Sequence, residues 1–502
     1  MDVLSNLALG FSVALEPINL LYAFLGVLLG TAIGVLPGLG PVATISILLP
    51  VTFTLQPQSA IIMLAGIYYG AAYGGSTTAI LVNLPGESSS VVTTIDGYQM
   101  ARQGKAGLAL ATAALSSFMA GTIATFIIAF AAPVLAEFAL DFGPADYFSL
   151  MVFGLVAAVI LAHGSVVKAI GMILVGVLLG TMGIDVNSSL PRFTFGVPQF
   201  GDGIDFAVIA MGIFGIGETI SNLGRTEGER EFVKDYKGLW PSPRDLKAIV
   251  KPALRGTFLG AALGILPGGG PVLASFSAYA LEKKIAKDPS RFGRGAIEGV
   301  ASPEAANNSA SQTAFIPLLT LGLPASPVMA LMVGALMMHG LYAGPQLIAE
   351  KPELFWGLVA SMWIGNFLLV VLNLPLVGFW ARLLTVPYRL LYPSILLICC
   401  IGVFSIRNDA LDVIVASVFG LVGYVLTRLQ CEPAPLLLGF ILGPLIEENL
   451  RRALLISHGS PSVFVERPIS LVFLILTALV VLVLVLPAIR SGREKVFAEE
   501  AN

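Results

Sequence analysis

The chain has 502 residues, 56% of them hydrophobic and only 12% charged, and its mean hydropathy is +0.88. A soluble domain carries about a quarter charged residues, so this composition excludes a soluble enzyme and describes an all-α polytopic membrane protein. The net charge of −3 without a large basic block gives no basis for nucleic-acid binding.

Crossing a ~30 Å hydrocarbon core takes about 20 apolar residues in a helix. In chain order the sequence offers windows at about 18–36, 59–82, 107–137, 146–163, 165–183, 205–223, 304–322, 326–345, 354–376, 383–403, 410–427 and 469–489. Shorter apolar pieces lie near 42–55, 253–266, 271–282 and 434–446. The N-terminal stretch holds Asp2 and Glu16 but no Lys or Arg, so it lacks the basic region of a signal peptide, and 18–36 reads as the first membrane helix. Cys399, Cys400 and Cys431 sit in apolar surroundings without metal-ligand spacing and read as small hydrophobes.

Basic residues predict the orientation. None precedes Arg102, whereas 225–255 carries Arg225, Arg230, Lys234, Lys237, Arg244, Lys247, Lys251 and Arg255. Cytoplasmic loops hold this excess, so 225–255 is expected to be a cytoplasmic linker between two halves, 1–224 and 256–489. Arg490, Arg493 and Lys495 place the tail 490–502 inside as well. An outside start and an inside linker require an odd number of crossings in the first half, which makes a duplicated second half inverted.

A duplication is visible. Gly34-Val-Leu-Pro-Gly-Leu-Gly-Pro41 returns 230 residues later as Gly264-Ile-Leu-Pro-Gly-Gly-Gly-Pro271, and Gly30 aligns with Gly260 upstream. Each copy interrupts an apolar run with prolines and glycines, which is costly where freed backbone groups meet no water. From Arg255 to Pro267 there is room for only ~18 Å of helix, too short to cross. The second copy has basic residues on both sides (Lys251 and Arg255 before, Lys283, Lys284 and Lys287 after), and the first has none. The expectation is two re-entrant hairpins entering from opposite faces, with tips near 36–41 and 266–271. Gly38, Gly40, Gly268, Gly269 and Gly270 permit close backbone approach to a ligand. Pro41 and Pro271 suit the first turn of the returning half-helix. The alternative for any one motif is a simple kink or tight helix packing, since Gly and Pro are common in membrane helices.

A second pair of stretches is polar. Ser76, Thr77, Thr78 and Asn83 precede Leu84-Pro85, and Asn307, Asn308, Ser311, Gln312 and Thr313 precede Leu323-Pro324. Aligning Thr78 with Thr313 gives an offset of 235 and aligning Pro85 with Pro324 gives 239, so a four-residue insertion is expected between them. Their hydroxyls and amides suit an ion or an oxyanion, and helix–helix hydrogen bonding is the alternative. A half-helix N-terminus suits a carboxylate. Unwound carbonyls near Gly38 and Gly268, with Thr78 and Thr313, suit Na⁺. Glu87, Asp96, Glu298 and Glu304 have Arg102, Lys105, Arg291 and Arg294 as neighbours and read as a solvated cytoplasmic rim. Glu447, Glu448, Arg451 and Arg452 read as an ion-paired interface anchor. No nucleotide-binding loop, nucleophile–base pair or metal cluster emerges, so neither ATP hydrolysis nor other enzyme chemistry nor a resident cofactor is expected.

Tyr69-Gly-Ala-Ala-Tyr-Gly-Gly-Ser-Thr-Thr-Ala-Ile-Leu, with Leu84-Pro-Gly-Glu87 and Asp96-Gly-Tyr98, resembles the large membrane subunit of tripartite tricarboxylate transporters, the TctA family. So do Gly295–Asn308, Ile316–Pro324 and the late stretch Leu442-Gly-Pro-Leu-Ile-Glu-Glu-Asn-Leu-Arg-Arg452. The resemblance covers nearly the whole chain. A departure is Ala325 after Pro324, where the family leads one to expect glycine. The resemblance implies a cation-driven importer of citrate-like di- and tricarboxylates in a bacterial inner membrane, with Na⁺ as co-ion. It implies two partners, a small TctB-like membrane subunit and a periplasmic TctC-like binding protein, and by analogy an elevator movement. The competing readings are the permease of an ATP-driven importer, suggested by Glu304-Ala-Ala306 before Leu323-Pro324, and a passive carboxylate channel.

Overall fold

A computed structural model describes residues 3–36, 39–161, 165–185, 188–223, 238–266, 270–384, 386 and 388–485. Prolines open many of its helices, because the first turn needs no N–H from them and their fixed φ already suits a helix. The first half begins with α1 (Val3–Ala14), α2 (Pro17–Gly34), α3 (Pro41–Phe53) and α4 (Pro57–Val82), the last three each with such a proline. Short helical turns then fill 88–105, with α5 (Val91–Thr93) among them, before α6 (Ala106–Ala139), α7 (Pro144–Leu161) and α8 (Val166–Gly180). The strands β1 (Gly183–Ile184) and β2 (Pro191–Arg192) pair antiparallel. α9 (Phe206–Ala210) and α10 (Glu218–Leu223) are joined by a wider π turn into one apolar rod.

The second half opens with α11 (Pro243–Gly264) and α12 (Gly270–Ile285), followed by α13 (Glu298–Thr313) and α14 (Phe315–Leu321). Next come α15 (Pro327–Met338), α16 (Pro345–Glu350), α17 (Pro352–Asn373), α18 (Val377–Leu383) and α19 (Tyr388–Arg407). The described chain closes with α20 (Ala410–Arg428), α21 (Ala434–Ile456), α22 (Val463–Glu466) and α23 (Pro468–Val485).

Among the described residues five helical stretches are long and apolar enough to cross a membrane by themselves: Pro17–Gly34, Ala101–Ala139, Phe206–Leu223, Pro352–Asn373 and Ala410–Arg428. With the shorter apolar helices around them, they make the chain a multi-pass, all-α membrane protein. Phe126, Phe130, Val134 and Phe138 on α6 and Leu174 and Leu178 on α8 face outward, the arrangement lipid requires. The expected windows mostly coincide with helices. The window 304–322 is two helices, and the short piece near 434–446 runs on to Ile456. α1 was not expected, since twelve residues fall below the length that a spanning window detects.

The two halves share one helix-packing pattern. A Cβ on Gly26, Gly30 or Gly34 of α2 would lie 2.3–2.4 Å from the carbonyl oxygen of Met63, Ile67 or Ala71 on α4. A Cβ on Gly256, Gly260 or Gly264 of α11 would lie 2.2–2.5 Å from that of Ser302, Ala306 or Ala310 on α13. Both series advance together by four residues, so α2 runs parallel to α4 and α11 parallel to α13. Glycine at every fourth position is what lets two backbones touch.

This register fixes the alignment of the later motifs. Ala310 stands 239 residues after Ala71, and Gly322 stands 239 after Asn83, both being left-handed helix ends (φ 69° and 56°). Ser326 stands 239 after Glu87, and both cap the next helix. The expected four-residue insertion between the polar stretches is therefore absent. The offset changes from 230 to 239 before them, in the connection between the tip and α13.

Candidate functional site

The first tip folds against the break after α4. Gly40, at φ −72° and ψ 177°, caps α3, and the nearest atoms to a Cβ placed on it are Glu87 Cβ at 3.7 Å and the Gly86 carbonyl oxygen at 3.8 Å. Gly34, Gly75 and Gly86 meet beside it, since a Cβ on Gly86 would stand 2.4 Å from Gly75 Cα and 3.0 Å from the Gly34 oxygen. Pro41 is the first residue of α3 and Pro271 the second of α12, in the first turns expected of them. Gly270 has φ +45°, a conformation that favours glycine. Gly38, Gly268 and Gly269 lie outside the described residues.

α4 crosses α13 and α14 antiparallel. Ser76 Oγ donates to Glu304 Oε2 at 2.9 Å, Ile80 and Val300 both adjoin Gly97, and the Tyr69 ring lies 6.4 Å from that of Phe315. At this crossing the polar stretches of the two halves come together from non-equivalent positions. The 239-residue register puts Glu304, Asn307 and Asn308 opposite Ala65, Tyr68 and Tyr69 in the duplication, so the chemistry of one half is not copied in the other.

Glu304 is 3% exposed and accepts hydrogen bonds from three hydroxyls of the first half: Ser76, Thr93 and, at 3.5 Å, Ser117. Asp96 is fully buried, accepting from the N–H groups of Gly293, Gly295 and Ala296 at 2.7–2.9 Å and from Tyr279 Oη at 2.9 Å. The solvated rim expected for these acids is thus wrong for Asp96 and Glu304. Arg102, Lys105, Arg291 and Arg294 are themselves exposed, Arg294 on the very turn whose N–H groups hold Asp96. Glu298 does pair with Arg291 at 2.7 Å near the surface. Glu87 is half-buried, caps its own turn with Ser90, and accepts from Asn307 Nδ2 at 3.2 Å and from the Ser89 hydroxyl. Sequence spacing held a signal for Glu304: with Asn308, Ser311 and Gln312 it follows the i, i+4, i+7, i+8 pattern of one helix face.

The other candidates separate into two groups. Thr78 donates to the Val35 oxygen at 2.7 Å and the Gly74 oxygen at 3.1 Å; Thr313 donates to those of Ala261 at 3.1 Å and Ser309 at 3.0 Å. Each clamps the helix that leads to its tip. Gln312 accepts from Thr125 at 2.7 Å and donates to Asn308 at 3.2 Å, tying α13 to α6. Thr77 donates to the Tyr73 oxygen, and Asn83 is an exposed left-handed cap. By contrast Tyr69 Oη, Ser311 Oγ and Asn307 Oδ1 are buried at the α4–α13 crossing with no hydrogen-bond partner. Buried polar atoms are rarely left so without a ligand or water. Among the described residues no three His, Cys, Asp or Glu side chains gather as a metal cluster.

A sequence model described as "Tripartite tricarboxylate transporter TctA family" matches residues 20–438. A protein of Agrobacterium vitis named "Uncharacterized 52.8 kDa protein in TAR-I ttuC' 3'region" is 58% identical over 501 residues, covering 100% of both chains. Another from the same organism, "Uncharacterized protein in TAR-II ttuC' 3'region", is 58% identical over 241 residues, which is 48% of this chain and all of that one. No solved structure matches.

Proposed function

The chain belongs to the tripartite tricarboxylate transporter TctA family, a transporter's membrane component and not an enzyme, and from that premise we propose that it imports a citrate-like di- or tricarboxylate with Na⁺ by alternating access. The observation that carries this reading is the antiparallel crossing of α4 and α13, the corresponding helices of the two halves. Corresponding helices that run oppositely are what an inverted repeat produces. Two re-entrant hairpins, α2–α3 and α11–α12, then enter from opposite faces toward one polar cluster. The repeats occupy 1–224 and 256–489, with the linker 225–255 and the tail 490–502 in the cytoplasm.

In this reading the substrate carboxylates meet the N-terminal ends of α3 and α12, at Gly38–Pro41 and Gly268–Pro271, where unpaired N–H groups favour anions. Ser76, Thr77, Asn83, Asn307, Asn308, Ser311 and Gln312 are the surrounding polar side chains, and Ser311 keeps a buried hydroxyl for the ligand. Na⁺ sits on carbonyl oxygens near Gly38 and Gly268. Thr78 and Thr313 lend hydroxyl lone pairs, since their protons already point to backbone oxygens.

Contacts far from the site support the orientation. Gln103 reaches the Arg294 oxygen at 2.8 Å and Lys168 the Leu429 oxygen at 2.6 Å, grouping basic loops on the linker's side. On the other side Arg467 pairs with Asp146 at 2.6 Å, Arg407 with Asp412 at 2.7 Å and Arg192 with Glu447 at 2.9 Å, so these cations are neutralised. The ATP-driven alternative loses its footing, because Glu304, Ala305 and Ala306 are buried inside α13 and present no docking loop. A bacterial inner membrane, a TctB-like small subunit and a periplasmic TctC-like binding protein complete the proposal. Proteoliposomes holding the three components should accumulate labelled citrate or a related acid only under an imposed Na⁺ gradient. Accumulation needing internal ATP, or downhill flux alone, would overturn it.

A further inference from the structure

Glu304 lines a small cavity of about 20 Å³ together with Tyr73, Ser76, Thr77 and Asn373. That volume holds one water-sized body and no carboxylate substrate. Asn373, at the end of α17, is 4% exposed, and its Nδ2 donates to the Leu369 oxygen at 2.8 Å. Its Oδ1 is buried without a partner. A carboxylate at membrane depth with hydroxyl donors and, among the described residues, no cationic side chain within salt-bridge distance, beside an amide oxygen that accepts nothing, is electrostatically incomplete. Burying such a charge is expensive unless a proton or a counter-charge joins it.

We propose that Glu304 and Asn373, with the hydroxyl oxygens of Ser76 and Thr77, form a site for a small monovalent cation, Na⁺, separate from the tips of the two hairpins. Glu304, Ser76, Thr77 and Asn373 each bring a side-chain oxygen to the lining of the space, the donor type hard cations take. One carboxylate balances one positive charge, and the cavity has room for one ion. The site joins three elements, α4, α13 and α17, so cation occupancy would hold α17 against the two crossing helices. This rests on the reading of the chain as a cation-coupled transporter.

Equilibrium binding of ²²Na⁺ to the purified complex, with choline replacing Na⁺ at constant ionic strength, tests it. Glu304→Gln should remove one saturable ²²Na⁺ per chain. Asn373→Leu, which leaves the carboxylate in place, should weaken the same site about tenfold and raise by the same factor the Na⁺ concentration that half-saturates uptake. Asn373→Leu serves also if Glu304→Gln fails to fold. Wild-type ²²Na⁺ stoichiometry and affinity in a folded variant, with Na⁺-driven uptake intact in the wild type, would overturn this site alone. Wild-type protein that takes up substrate under a proton gradient without Na⁺ would overturn the Na⁺ coupling beneath it.

Discussion

Gly40 and Thr78 lie within a few residues of the same break and answer different questions. Gly40 has ordinary φ, and its Cβ position meets only ordinary van der Waals contacts at 3.7–3.8 Å, so Gly40→Ala should leave the thermal midpoint unchanged. If a carboxylate approaches that backbone, uptake should nonetheless fall about tenfold, equivalent to ~1.4 kcal/mol of lost transition-state or binding stabilisation. Unchanged uptake would remove Gly40 from the site. Thr78→Val instead leaves the Val35 carbonyl without its 2.7 Å donor, a loss of roughly 1–3 kcal/mol for a buried acceptor. Differential scanning fluorimetry should show a lowered midpoint for it. The glycines, prolines and hydroxyls were legible in the sequence because their chemistry is local. Glu304 and Asp96 were misread as solvated, because their partners (Ser76, Thr93 and Ser117; Gly293 to Ala296) stand about 190–230 residues away in sequence.

At the level of helices, the glycine ladders of α2 and α11 could be read as close-packing faces, but not what they close upon. Nothing in Gly26–Gly34 says that the partner begins at Met63 or runs parallel. The break at Leu-Pro was visible too, and the structure shows a helix ended by a left-handed residue, Asn83 or Gly322, with the polar side chains on the helix before it. Gly30→Val and Gly260→Val should each prevent a monodisperse peak in size-exclusion chromatography, since the carbonyls of Ile67 and Ala306 are 2.4 and 2.3 Å from the new Cβ. Overpacking of this kind costs about 1–3 kcal/mol or more, and backbone cannot rotate away as a side chain can. Gly171→Ala on α8, with nothing within 4 Å, is the matched control and should elute as the wild type does.

For the molecule as a whole, the two halves and their orientation are an expectation drawn from the distribution of charge, a signal that averages over many residues. A cysteine-free background carrying Gln56→Cys or Lys247→Cys checks it, both positions being exposed. An impermeant maleimide should label Gln56→Cys from the periplasmic side of spheroplasts and Lys247→Cys only after lysis. The reverse pattern would invert the topology.

Asp96 and Glu304 also bear on how the two halves of the chain depend on each other. At least eight hydrogen bonds pass between the halves at these two carboxylates and Glu87. Both acids are buried, so separating the halves would strand them together. These contacts tie the burial of each acid to groups carried by the opposite half. Each half carries acids whose hydrogen bonds come from the other, and the join between them is a seam held by mutual need.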